Sequence, residues 1–503
     1  MNTSFYEKET LIKGALQFQS EKLFDQAIYY YKKILEKEPK DEVCLNQLSL
    51  IKYETGNIQR ALELSNKLIQ VNSRLADYYN NRGNINWRLG QFESAITDFD
   101  KAISIENNKA EFYVNRSNVY VTMSQFEDAI SDIDKAINID SRLAIAYAAK
   151  ANIHSIKKEY ENALVEIKKA IKLNERNAQF HFDCGAIEIE LNKINKAITS
   201  YANACKLDNN FLQSYKELIT LLFVKKRYHE AVEILKYVIK IDAENAEWLI
   251  TLGDVYIKLN NTENARQAYL LAKYKSPSHP NVDFYLASYF GGVPPTKAPV
   301  EQLTLMFNAY ADHFNSHLVN KLDYKAPIQL KEQFCRFNKK NKIKLALDLG
   351  CGTGLIGQEF AGLYQSIDGV DISQKMLDVC ADTGLYRKLY KEEISNFIAD
   401  KNTLYDLVVC ADVFVYIGDL FNIFELIYKL LDKQGWVSFS IEESNDETKE
   451  YKLDNTKRFS HSTSYIKKLS NSVGFEIIEI KKEKIRNEKN SPVTGFNILL
   501  RKI

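Results

Sequence analysis

The apolar positions of this chain follow two patterns, one on either side of about residue 290. On the first side they recur with one unbroken period. Ala27, Ala61, Ala95, Ala129, Ala163, Ala197, Ala231 and Ala265 stand 34 residues apart, and around four of them the text is nearly constant: "QFESAITDFDKAI", "QFEDAISDIDKAI", "EYENALVEIKKAI" and "RYHEAVEILKYVI". Twelve residues before these alanines stand Ala15, Ser49, Gly83, Ser117, Ala151, Gly185, Ile219 and Gly253. Seven residues after them stand Ile34, Leu68, Ala102, Ala136, Ala170, Ala204, Val238 and Ala272. Small side chains at fixed offsets let two antiparallel helices approach closely, so the period predicts helix-turn-helix units that stack on one another. Eight units fit residues 8–279, and "NVDFYLASYF", residues 281–290, reads as a closing helix.

Five of the eight prolines (277, 280, 294, 295 and 299) fall within 23 residues, together with Gly291 and Gly292. Proline removes backbone donors and glycine removes packing, so neither repeat nor sheet continues through this seam. It divides the chain into a helical array, 1–290, and a second domain, 291–503. In the second domain short apolar runs alternate with helical stretches: "IKLALDLG" (343–350), "SIDGVDI" (366–372), "YDLVVCADVF" (405–414), "GWVSFSI" (435–441), "FEIIEI" (475–480) and "GFNILLR" (495–501). Such alternation predicts βαβ units and a mostly parallel sheet covered on both faces. Ligands in these sheets bind beyond the carboxyl ends of the strands, where residues 348–354, Asp371 and Asp412 fall. The fold class expected is therefore α followed by α/β.

Composition narrows the functions. The chain has 67 basic and 66 acidic residues, and the part from 291 onward has 29 and 28, so neither half carries the footprint of a nucleic-acid binder. The seven cysteines are scattered without a C-x-x-C pair, which predicts free thiols in a reducing compartment and no metal site. The N-terminus lacks an apolar signal core and no run of eighteen apolar residues occurs, so a cytoplasmic protein without a membrane partner is expected.

The chemistry centres on "LDLGCGTGLIG", residues 347–357, which reads in two registers. Gly352, Gly354 and Gly357 form G-x-G-x-x-G, a dinucleotide fingerprint. Asp348, Gly350, Gly352 and Gly354 form D-x-G-x-G-x-G. Asp371, 19 residues after Gly352, serves as a ribose-binding acid in either register. Asp348 tips the balance: a carboxylate at the strand end repels a pyrophosphate and favours the ammonium and sulfonium of S-adenosyl-L-methionine.

"DLGCGTG", "GVDISQKML" and "YDLVVCADVFVYIGDL" resemble the successive strand-end motifs of class I S-adenosylmethionine-dependent methyltransferases. The 34-residue units resemble tetratricopeptide (TPR) repeats. Through "FNAYADHFNSHLVNKLDYKAP", "RFSHSTSYIKKL" and "SPVTGFNILLRK" the whole chain resembles bacterial methyltransferases with a TPR N-terminus. The resemblance implies a TPR superhelix followed by a Rossmann-like domain with a seven-stranded, mostly parallel sheet. It implies that Asp348, Gly350, Gly352 and Gly354 surround the methionine part of the donor and that Asp371 takes the ribose hydroxyls. Met376 would pack on the adenosine or belong to the core, Glu393 would accept from adenine in competition with Glu392, and Tyr310 would close the pocket.

Candidates beside the methyl group are Asp412, Tyr416 and His461; only a hydroxyl or a protonated amine acceptor needs a base. His461 sits in "RFSHSTSYI" and reads as base or as helix cap. Arg458 and Arg486 read as a clamp for an acceptor carboxylate, or as partners of Glu442 or Glu443. No Asn/Asp-Pro-Pro-aromatic motif follows the fourth strand, which favours a hydroxyl, carboxyl or carbon acceptor. In the repeats, Asn81 and Asn115 share one helix position and Asn84, Asn118 and Asn152 the position three residues on. A ladder of carboxamides suits the backbone of a bound protein or peptide, or is merely solvated. Three functions compete: a methyltransferase whose repeats recruit a protein, a TPR scaffold with a vestigial methyltransferase domain, and an NAD-dependent oxidoreductase.

Overall fold

The computed structural model describes residues 2–311, 314, 315, 318, 322–339, 342–399, 403–488 and 491–503. Sixteen helices run in sequence, two to each 34-residue period: α1 (Asn2–Ser20), α2 (Phe24–Lys37), α3 (Glu42–Glu54), α4 (Ile58–Val71), α5 (Ala76–Arg88), α6 (Phe92–Ile105), α7 (Ala110–Thr122), α8 (Phe126–Ile139), α9 (Ala144–Ile156), α10 (Tyr160–Leu173), α11 (Ala178–Glu190), α12 (Ile194–Leu207), α13 (Leu212–Val224), α14 (Tyr228–Ile241), α15 (Ala246–Lys258) and α16 (Thr262–Lys275). The chain forms two compact units, Met1–Ile234 and Leu235–Ile503. No helix among the described residues is long and apolar enough to cross a membrane.

The period has a packing cause. All eight alanines of the series are 0% exposed. Opposite the small residue twelve positions earlier stands the side chain sixteen positions after that residue, and the two sizes are matched. A Cβ on Gly83 would lie 2.8 Å from the Phe99 ring, one on Gly185 2.9 Å from the Tyr201 ring, and one on Gly253 2.5 Å from the Tyr269 ring. Where the partner is small the residue is larger: Ser49 and Ser65 share a 2.8 Å hydrogen bond. The turn inside each period also repeats, because Lys22, Gly56, Gly90, Ser124, Lys158, Asn192, Lys226 and Asn260 all have φ between 55° and 81°.

The second unit holds α15, α16, then α17 (Pro280–Phe290), α18 (Val300–Tyr310) and α19 (Ala326–Phe337), before an alternation of strands and helices. The strands are β1 (Ile343–Leu349), β2 (Tyr364–Asp371), β3 (Lys388–Lys391), β4 (Tyr405–Cys410), β5 (Leu431–Glu442), β6 (Tyr451–Leu453), β7 (Phe459–His461), β8 (Phe475–Glu488) and β9 (Ser491–Lys502). The helices among them are α20 (Leu355–Glu359), α21 (Gln374–Ala381), α22 (Ile394–Ala399), α23 (Phe421–Leu430) and α24 (Thr463–Val473). Seven strands form one sheet in the order β3-β2-β1-β4-β5-β9-β8, in which only β9 opposes its neighbours. The expected helical array followed by a mostly parallel α/β sheet is what forms. Each face carries a core: Leu330, Phe334 and Phe360 meet Trp436 on one side, and Phe397, Phe424 and Ile466 meet Phe439 and Ile498 on the other.

Three details differ from the expectation. The fourth strand ends at Cys410 rather than 414, because Asp412 turns to φ 60° and Phe414–Tyr416 forms a 3-10 turn. β8 runs to Glu488, eight residues beyond the apolar text; its second half, "KKEKIRNE", is charged and pairs with β9 in a long hairpin. The short hairpin β6–β7 carries no strong apolar signal and went unpredicted.

Two stability predictions follow from the repeats. Gly185→Val overpacks the helix crossing at Tyr201 and lowers stability by roughly 1–3 kcal/mol in urea unfolding. Lys158→Gly relieves a left-handed backbone and raises stability by about 0.5–1 kcal/mol in the same assay.

Candidate functional site

Beyond the carboxyl ends of β1, β2 and β4 lies a cavity of 870 Å³. Its floor is the loop after β1. Gly350, Gly352 and Gly354 have φ of 71°, 51° and 88°, left-handed values that a side chain resists. Gly350 and Cys351 donate their N–H groups to Val370 O at 2.9 and 3.0 Å, which ties the loop to the end of β2. A Cβ on Gly350 would lie 2.4 Å from Val413, whereas Gly352 has open space above it apart from Phe314 at 3.8 Å.

Asp371 ends β2 and lines the cavity. One carboxylate oxygen accepts from Gly352 N at 2.9 Å and the other from Ser373 N at 2.8 Å. Burial raises its pKa, and the N–H groups of Ser373, Gly352 and Ile372 oppose the rise. Met376 on α21 is 1% exposed and lines the cavity wall, so it serves both core and pocket. Glu393 also lines the wall; Ser395 Oγ donates to it at 3.0 Å, Asn396 N at 3.4 Å, and Lys297 Nζ lies 3.5 Å away.

Asp412, Tyr416 and Tyr310 line the same cavity. Asp412 accepts from Arg486 Nη1 at 2.7 Å, and its N–H donates to Ser440 Oγ at 2.9 Å. The Tyr416 ring meets Phe307 of α18 edge-on at 5.6 Å, and Tyr310 meets Phe314 at 5.5 Å. Burial raises the Tyr416 hydroxyl above its ordinary pKa against the pull of the Arg458 cation. Arg458 lines the cavity and donates to Glu488 Oε2 at 2.9 Å.

Three expected site residues stand elsewhere. His461 is 0% exposed, and its Nε2 donates to Gly418 O at 3.0 Å, bracing the turn after Tyr416 instead of facing the cavity. Burial depresses its pKa to about 4, so it is neutral near pH 7. Arg486 is 1% exposed and behind the wall, held by Asp412 and Glu442. Asp348 also lies behind the loop: Tyr386 OH donates to its Oδ2 at 2.7 Å, while Oδ1 is buried without a partner among the described residues. Burial pushes its carboxyl to about 7. Its effect on a ligand is therefore transmitted through the loop and not by contact.

Tyr386 was missed by the sequence reading. Its hydroxyl accepts from Gly357 N at 3.0 Å, and a Cβ on Gly357 or Gly369 would lie 2.6 or 2.9 Å from its ring. Asn308 was missed too: it accepts from Ser373 Oγ at 2.7 Å and fastens α18 over the cavity. "DTGLY" and "FNAY" carry no chemical pattern that would mark either residue.

In the first unit the asparagines pair with one another. Asn81 Nδ2 donates to Asn46 Oδ1 at 3.3 Å and Asn115 Nδ2 to Asn80 Oδ1 at 2.9 Å. Asn84 and Asn118 are half-buried and Asn152 is exposed. Beside them runs a periodic ion pair: Arg82 grips Asp98 at 2.6 and 2.9 Å, and Arg116 grips Asp132 at 2.7 and 2.8 Å.

A methyltransferase-domain model matches residues 347–437, and tetratricopeptide-repeat models match residues 76–109, 110–142, 144–177 and 222–283. The chain thus carries TPR repeats, a module of protein interaction, and a methyltransferase domain. It is 29% identical over 104 residues to the ubiquinone biosynthesis O-methyltransferase of Nitrosomonas europaea, covering 19% of this chain and 43% of that one. It is 31% identical over 101 residues to the enzyme of the same name from Burkholderia vietnamiensis, covering 19% and 44%. The chain spans less than half the length of these curated relatives. Among solved structures it is similar to YrrB, a TPR protein with an unusual peptide-binding site, at 25% identity and a TM-score of 0.31, covering 36% of this chain and 93% of that one. It is also similar to MamA, at 25% identity and a TM-score of 0.29, covering 33% and 96%.

Asp348 gives a pH signature. Its folded-state pKa lies above the usual carboxylate value of 3.8, so the folded state holds the extra proton and stability is lost as pH rises from about 4 through about 7. Asp348→Asn removes that loss, up to about 4 kcal/mol. Urea unfolding of both proteins at pH 5 and pH 8 measures it: the variant gains on the parent at the higher pH.

Proposed function

We propose that this chain is an S-adenosylmethionine-dependent methyltransferase whose repeats, residues 1–290, recruit a protein or peptide, and whose catalytic domain is residues 291–503. The observation that carries the reading is the meeting of the three-glycine loop, Asp371, Met376 and Glu393 around one end of a cavity in a domain that matches a methyltransferase model.

The residues fit the donor. Gly352 leaves backbone room at the floor, and each oxygen of Asp371 takes one backbone N–H and keeps acceptor capacity for a ribose hydroxyl. Glu393 is placed to accept from the adenine amino group, and Met376 to pack on the ring. Four carboxylates along the wall, Asp371, Glu393, Asp412 and Glu488, outnumber its three cations, Lys297, Lys457 and Arg458, and favour a cationic ligand over a pyrophosphate. The donor supplies a methyl group already activated on a positively charged sulfur. The protein's task is then alignment and exclusion of water. Tyr416, Asp412 and Phe307 of α18 perform it beside the acceptor, and Tyr310 closes the pocket over the donor. His461 and Arg486 act from behind, by holding the turn and the carboxylate that border the acceptor. Relatives named as O-methyltransferases support an oxygen acceptor. The paired asparagines and neighbouring ion pairs of α3–α8 offer a polar face for the recruited protein.

Isothermal calorimetry with the full chain tests the donor. S-adenosylmethionine binds and NAD does not, and Asp371→Asn weakens binding about 10- to 100-fold. Absence of binding would leave the scaffold reading, and binding of NAD alone the oxidoreductase one.

A further inference from the structure

The acceptor end of the cavity is bounded by α17, α18, the β6–β7 loop and the turn after β4. Its wall is apolar and rich in rings: Phe284, Leu303, Phe307, Tyr324 and Tyr416 face it. Leu303, Phe307 and Tyr310 fall on one stripe of α18, a helix with no fully buried residue, and line the cavity, while Leu303 also packs against the core that holds Phe284 and Phe459.

The cations of the wall are already matched. Among the described residues three line the cavity: Lys297, Lys457 and Arg458. Lys297 lies 3.5 Å from Glu393. Lys457 sits 4.0 Å above the Tyr285 ring and 3.6 Å from Asp254. Arg458 donates to Glu488 at 2.9 Å and has Glu442 at 3.7 Å. Behind them Arg486 is taken by Asp412 and Glu442. A carboxylate or phosphate brought into this end would displace one of these acids or remain unpaired, and a buried unpaired charge is strongly disfavoured.

We infer that the methyl acceptor, an oxygen in the reading above, belongs to an uncharged, largely apolar small molecule held by the rings of α17, α18 and Tyr416. This rests on the donor reading above. The size is consistent: a cavity of 870 Å³ lies in the range of small-molecule sites. The clamp expected of Arg458 and Arg486 thereby becomes wall structure.

The test uses the full chain saturated with S-adenosylhomocysteine, the demethylated donor. Two probes are titrated by calorimetry at pH 7: 4-hexylphenol, and 6-(4-hydroxyphenyl)hexanoate, which adds a carboxylate to the same skeleton. The uncharged probe binds at least about tenfold more tightly, the equivalent of 1.4 kcal/mol. Phe307→Asp weakens it by a similar factor while the affinity for S-adenosylhomocysteine stays within about twofold, which vouches for the fold of the variant. Equal or tighter binding of the carboxylate probe, lost in Arg458→Gln, overturns the inference. So does failure of both probes to bind a chain that holds S-adenosylhomocysteine. Failure to bind S-adenosylhomocysteine itself refutes the donor reading instead.

Discussion

An aromatic ring can enter a crossing of two backbones only where the opposing side chain is absent or minimal, and much of this structure hangs on that exclusion. In the helical periods it fixes how closely two helices approach: Gly83 receives Phe99, Gly185 receives Tyr201, and Gly253 receives Tyr269. In the sheet domain it shapes the ligand loop. Tyr386 enters a notch walled by Gly354, Gly357 and Gly369, and from there its hydroxyl reaches both Gly357 N and Asp348. Gly357 is therefore not a third phosphate-binding glycine; it is small because a phenol lies against it. The same device recurs at Gly418, where a Cβ would lie 2.6 Å from Tyr451 and 2.7 Å from Phe459.

Around the cavity a second constraint operates. Asp412 occupies a left-handed backbone conformation at φ 60°, a position that costs on the order of 1–3 kcal/mol for a residue other than glycine. Its side chain is held there by Arg486, which reaches it from β8, and Arg486 is held in turn by Glu442 at the end of β5. The network joins the ends of three strands beneath the acceptor. Removing one member would leave a buried charge without its partner, so these residues form one unit.

The helical periods were fully legible in the sequence because each contact that sets them is local: residues twelve and sixteen apart meet within one hairpin. The backbone of the glycine loop was legible for a similar reason, since tight loops need glycine at fixed positions and Asp371 follows from the strand length. The acceptor end was not. His461 and Gly418 are 43 residues apart, Arg486 and Asp412 are 74 apart, and Tyr386 and Asp348 are 38 apart. Which way such side chains face depends on the register between strands: chemical type left base or cap open for His461, which braces a turn, and clamp or partner of Glu442 or Glu443 open for Arg486, which pairs with Glu442. Asp348 was assigned the right place in the strand and the wrong side of the loop.

The matched methyltransferase region, 347–437, contains the glycine loop, Asp371, Met376, Glu393, Asp412 and Tyr416. It does not contain Phe284, Leu303, Phe307, Lys457 or Arg458, which build the far wall. Similarity therefore covers one part of the cavity lining and is silent on the rest. That second part is drawn partly from the closing helix α17 and is supported by the last helical period. Lys457, with φ 64°, rests on Tyr285 of α17 and faces Asp254 of α15, whose carboxylate also accepts from Tyr269 of α16 at 2.8 Å. Phe284 of α17 meets Phe459 of β7 at 6.2 Å. The terminal period thus sets the position of the β6–β7 loop, and through Thr456, Lys457 and Arg458 it shapes the acceptor wall. A chain cut at the seam near residue 290 would keep the glycine loop and lose Phe284 from the cavity wall together with the support that Tyr285 gives Lys457.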